Sequence, residues 1–135
     1  MRRQWMAAVA GVIVGVSLMA GAVAAVDLDL SDFDEDLMRS MDDAIKDLDS
    51  NLGGRDAQAS LANAAVIRDG LGYAEKYFTA KPEAPRGVAF ARDGQEQLTQ
   101  LVKSIEAHDF NQASEHVRGL ARSCKACHEV YKPPE

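Results

Sequence analysis

The sequence predicts an all-α fold, an antiparallel up-down-up-down four-helix bundle. Three observations carry this. Period-2 alternation is absent and β-branched residues are few, so no stretch reads as strand. Apolar residues recur instead every three or four positions. Caps and breakers divide the chain after residue 25 into four such segments of about 20 residues with mostly short connections, and stripes of that kind bury best against one another in a bundle.

The opening stretch, "MRRQWMAAVAGVIVGVSLMAGAVAA", stands outside that fold. Arg2 and Arg3 form a charged start, an apolar run follows over about residues 6–19, and Val23-Ala24-Ala25 gives a small-x-small pattern for cleavage before Val26. Residues 1–25 therefore read as a signal peptide and residues 26–135 as one exported, periplasmic domain. An uncleaved membrane anchor is the alternative, because the run approaches spanning length. Without residues 1–25 the chain has 13 Lys+Arg against 21 Asp+Glu, a net charge of −8. That balance argues against nucleic acid and against an anionic membrane surface, and it suits a basic protein partner. Cleavage also removes Trp5, the only Trp. The domain left is long enough for one modest core.

The first helix is expected over about 31–51. Ser31 or Asp32 can cap it, and Asp34, Glu35 and Asp36 suit the positive end of its dipole. Its stripe is Leu30, Phe33, Leu37, Met41, Ala44 and Leu48, flanked by Met38, Ile45 and Leu52, and Gly53-Gly54 stops it. The second is expected over about 56–78, with Asp56 as cap and Ala64, Ile67, Leu71, Ala74 and Phe78 inward; Val66, Tyr73 and Tyr77 lie beside them. Gly70 and Gly72 weaken it locally and offer room for a close approach by another helix or a flat ligand. "TAKPEAPRG", residues 79–87, holds two prolines and reads as the longest loop. The third helix follows over about 88–107, with Ala91, Leu98, Leu101, Val102 and Ile105 inward. Asp109 caps the fourth, which runs to about 132 and stops at Pro133-Pro134.

The fourth helix carries "RSCKACHEVYK", with both cysteines of the chain and one of its three histidines. At 100° per residue from Cys124, Cys127 lies at about −60° and His128 at about +40°. Phe110, Ala113, Val117, Leu120 and Tyr131 fall within about 40° of the same direction. The motif is thus expected on the buried stripe, facing the bundle interior. C-x-x-C-H is the attachment pattern of haem c: two thiols add to the vinyl groups and His128 ligates the iron. The competing chemistries lack support. A disulfide oxidoreductase would want a βαβ context. A structural zinc ion needs four ligands, with only His108 and His116 beyond the cluster. A disulfide between neighbouring turns would constrain little chain. His116 at the stripe's edge and His108 at a helix end read as exposed or capping residues.

At this motif the sequence resembles a known family. "AHDFNQASEHVRGLARSCKACHEVYK" is similar to the last helix of the class II c-type cytochromes, the cytochrome c-prime family, and the resemblance extends loosely over residues 30–132. It implies one covalent haem c held by Cys124 and Cys127, with His128 as proximal ligand. It also implies that Tyr131 packs near the haem and that Lys132 reaches a propionate. The family divides on the first helix: its five-coordinate members offer the iron an apolar residue, its low-spin members a Met. "DLMRSMDDAIKDLDSNLGGRD" resembles the low-spin pattern with Met38 at the ligand position and Met41, one turn on, as the fallback. Both methionines also read as adaptable core filler.

The resemblance implies an exported monohaem carrier of single electrons between redox proteins. A five-coordinate protein binding nitric oxide or carbon monoxide is the alternative, and the family often pairs as a homodimer through its first two helices. Ten acids between Asp27 and Asp49, against Arg39 and Lys46, read as a solvated face or as a docking patch for a basic partner. No nucleophile–base pair or phosphate loop is visible, so the chain does not read as an enzyme.

Overall fold

The computed structural model describes residues 28–131. The expected signal peptide at 1–25 and Lys132 lie outside the described residues. Among those described there are four helices and no strand: α1 (Glu35–Gly53), α2 (Ala57–Thr79), α3 (Pro85–Glu106) and α4 (Phe110–Tyr131). None is long and apolar enough to cross a membrane.

Connections at 54–56, 80–84 and 107–109 are too short for anything but antiparallel neighbours. Packing pairs give the register. Leu71 and Phe78 of α2 sit over Gly94 and Gly87 of α3, so one number rises as the other falls. The helices form a ring in which α1 packs on α2, α2 on α3 and α3 on α4, while α1 meets α4 only loosely. Two turns at one end bend on residues in the left-handed region, Arg55 (φ 57°) and His108 (φ 56°). Both lie over Phe110, the Arg55 guanidinium carbon and the His108 ring each 5.9 Å from its centre. His108 is therefore a turn residue, as its place at a helix end suggested.

Two boundaries differ from expectation. Helix α1 begins at Glu35, with Asp34 rather than Ser31 or Asp32 as its cap; the Asp34 carboxylate accepts from the Leu37 N–H at 2.9 Å. Asp32 is engaged elsewhere. Its Oδ1 accepts from the Tyr77 hydroxyl at 2.6 Å and from Lys81 Nζ at 3.0 Å. Residues 28–34 thus form a strap tied to the end of α2, and Phe33 packs edge-on against Tyr73 and Tyr77, with centres 5.1 and 4.7 Å apart. Helix α3 begins at Pro85, inside the stretch expected as loop, because the fixed φ of proline suits the first helical position.

The strap has a pH signature. Asp32 is held below the ordinary carboxylate range by the Tyr77 hydroxyl and then by Lys81. Lys81 is raised above the ordinary ammonium range by Tyr77 and then by Asp32. The tie is therefore complete between about pH 4 and about pH 10. It is lost in acid as pH falls through the lowered Asp32 value, and in alkali as pH rises through the raised Tyr77 and Lys81 values. On acidification, part of the tyrosine near-ultraviolet dichroism should be lost before the helical signal changes. Asp32→Asn should lack that early step.

The interior has two parts. An aliphatic cluster, including Leu48, Ile67, Leu101, Ile105 and Leu120, runs through the middle and one end. An aromatic cluster around Phe78 and Tyr131 fills the other end. Val66, expected beside the stripe of α2, is exposed. Leu101 is wholly buried, so Leu101→Ala should cost about 2–5 kcal/mol, read as a lower denaturation midpoint.

Candidate functional site

The C-terminal half of α4 carries the site. Asp109 begins that helix, its Oδ1 accepting from the Gln112 N–H at 3.0 Å. In the last three turns Leu120, Ser123 and Tyr131 are buried, Cys124 and Cys127 are half-buried, and His128 is exposed. The expectation that the whole motif points inward is thus corrected: it lies on the flank of the buried stripe. The physical reason is unequal packing, since α4 lies closely on α3 and loosely on α1. The loose side opens as a cleft of about 380 Å³, lined by Asp42 and Ile45 of α1 and by Ala121, Cys124, Lys125, His128 and Glu129 of α4.

The two cysteines look in different directions. Cys124 packs against the aliphatic cluster and Cys127 against the aromatic one, so the pair straddles the boundary between them. Both are free. Burial pushes both thiols up, Cys127 to about 11. At neutral pH they are protonated, the opposite of the lowered thiol that a disulfide oxidoreductase uses. Among the described residues no group of three or more His, Cys, Asp or Glu side chains gathers closely enough to hold a metal ion. His116 is half-buried, its Nε2 3.4 Å from the Gln112 side-chain nitrogen.

Helix α1 separates the two methionines. Met41 is buried and faces α2. A Cβ built on Gly70 would lie 2.0 Å from its sulfur, so the missing side chain at Gly70 is what makes room for it. Gly70 thus admits another helix, whereas Gly72 faces open space. Met38 is half-buried against the aliphatic cluster. It shares a helix face with Asp42 and Ile45, at spacings of four and seven residues, and those two line the cleft. Tyr131 is buried at the aromatic end, its ring centre 5.2 Å from Phe78 and 6.3 Å from Phe90.

Sequence reasoning did not single out Asp42 as a cleft residue and treated Ile45 only as part of a flank. The signal was available in the spacing of 38, 42 and 45, but Asp42 is hidden in an acidic run that reads as solvated surface. No family model, curated protein or solved structure matches the chain.

Proposed function

We propose that this chain is an exported monohaem c-type cytochrome of the cytochrome c-prime kind, carrying single electrons between partner proteins in the periplasm. The observation that carries the reading is the joint placement of the motif: two free thiols one helical turn apart, with Cys124 and the His128 imidazole on the same wall of a cleft. These residues fit a haem. Cys124 and Cys127 would hold it by thioether bonds, and both residues are half-buried at the edge of the core. His128 supplies the proximal imidazole. The bound group would supply a one-electron couple at its iron.

Met38 would be the second iron ligand in this reading. Its face of α1 leads to the cleft, whereas Met41 is committed to the notch at Gly70. Tyr131 closes the aromatic end. The acids along α1 lie on the same helix as the Met38 face. They give a basic redox partner an attractive approach near the cofactor, one that weakens with salt.

One mass measurement tests export and cofactor together. Protein taken from the periplasm of a host that matures c-type cytochromes should weigh as a chain starting near Val26 plus one haem. The haem should survive denaturation and acid–organic extraction. An intact N-terminus in the membrane fraction would replace cleavage by anchoring, and a free dithiol or bound zinc in such material would end the haem reading.

A further inference from the structure

We propose that Ser123 and Asp93 are positioning residues: their hydrogen bond fixes the rotation of α4 about its own axis and thereby aims Cys124 and His128 at the cleft facing α1. Ser123 is a buried polar residue, 7% exposed, and its hydroxyl donates to Oδ2 of Asp93 on α3. One turn earlier on α4, the Gln97 side chain of α3 lies over Gly119, where an added Cβ would meet Gln97 Oε1 at 2.5 Å. Asp93 and Gln97 are four apart on α3, and Gly119 and Ser123 are four apart on α4, in opposite order. Two rungs of one antiparallel ladder thus run along the α3–α4 seam.

That ladder determines direction. Apolar packing is non-directional, and a stripe of aliphatic residues tolerates a helix turned somewhat about its axis. A hydrogen bond has a preferred geometry, and although the Ser123 hydroxyl also lies 3.4 Å from the Gly119 carbonyl of its own helix, its closer partner is Asp93 across the seam, which holds the Ser123 side toward α3. With Ser123 fixed toward α3, Cys127 stands about 40° away, Cys124 about 100° and His128 about 140°. Those angles match the aromatic packing of Cys127, the cleft-side place of Cys124 and the exposure of His128. Residue 123 therefore governs where residues 124 and 128 point.

The functional consequence rests on the haem reading; the aim of the side chains does not. Full-length Ser123→Ala, Asp93→Ala and Asp93→Asn should be purified as above. Ala is favoured in helices, so the first two should fold. Asn keeps an acceptor oxygen while removing the charge, and is the rescue. In haem-bearing protein, both Ala variants should gain a high-spin ferric fraction and show a shifted reduction potential, and Asp93→Asn should restore wild-type values. A lower melting temperature with the wild-type spectrum and potential would overturn the proposal, because a merely structural contact would do that much. If no variant carries haem, wild type included, the haem reading fails and the free thiols decide the positioning. The ratio of Cys124 to Cys127 alkylation by a maleimide should then change at least about threefold in both Ala variants and return in Asp93→Asn, since alkylation follows exposure. An unchanged ratio would overturn the proposal.

Discussion

Replacing Met38 by Leu is expected, on the haem reading proposed above, to turn a low-spin ferric protein high-spin, to lower its reduction potential and to let carbon monoxide bind the reduced form. A thioether ligand favours ferrous iron and fills the sixth position; an isosteric hydrocarbon does neither. Met38 has the face for this, because Asp42 and Ile45 on the same side of α1 line the cleft that Cys124 and His128 share. Met41→Leu is the internal comparison. Its side chain is seated at Gly70, so the swap should cost under about 1.5 kcal/mol and leave the spectrum alone. Absorption spectra of the oxidised and reduced proteins, including the weak near-infrared sulfur-to-iron band, decide the matter. If Met41 controlled the spin state, the register would be wrong by one turn. A wild type that is high-spin and binds carbon monoxide readily would replace the electron carrier by a gas-binding protein.

Removing both thiols should have the larger chemical effect. Cys124→Ala with Cys127→Ala is expected to abolish haem that survives acid–organic extraction, while each single variant keeps one thioether and still retains it. The fold should persist. Both sulfurs are only half-buried, Ala is favoured in helices, and the truncations should cost under about 2 kcal/mol each. Extraction followed by mass measurement, with helical dichroism as the folding control, separates loss of attachment from loss of structure. Extractable haem with a wild-type spectrum in the double variant would show His128 and Met38 holding the iron without the covalent links. Covalent haem persisting there would exclude these cysteines as the attachment points.

The bundle was legible because its signals are local. Asp56 and Asp109 cap where their side chains can reach an N–H three residues on, and the stripe Ala64, Ile67, Leu71, Ala74 and Phe78 is buried throughout. The start of α1 was misread because Ser31, Asp32 and Asp34 are all competent caps. What chose among them is the bond from Tyr77 and Lys81 to Asp32, made across 45 residues or more and invisible to a local rule. The direction of the motif was misread for a related reason. A helical wheel gives the angles between Cys124, Cys127 and His128 but not which neighbour lies on which side. That depends on how tightly α3 and α1 each approach α4, a property of pairs of helices.

The looseness between α1 and α4 also has a mechanical meaning. The ring has three closely packed seams and one open one. Helix α1 is held at its start by the strap on Tyr77 and Lys81, at its end by the turn at 54–56, and along its length by α2. A movement that kept all these ties would be a roll about α2. Such a roll would widen or narrow the cleft without stretching a connection or disturbing the α2–α3 and α3–α4 seams. A flat guest could then be admitted by displacing one helix, with the other three as a fixed frame and the motif already standing on that frame.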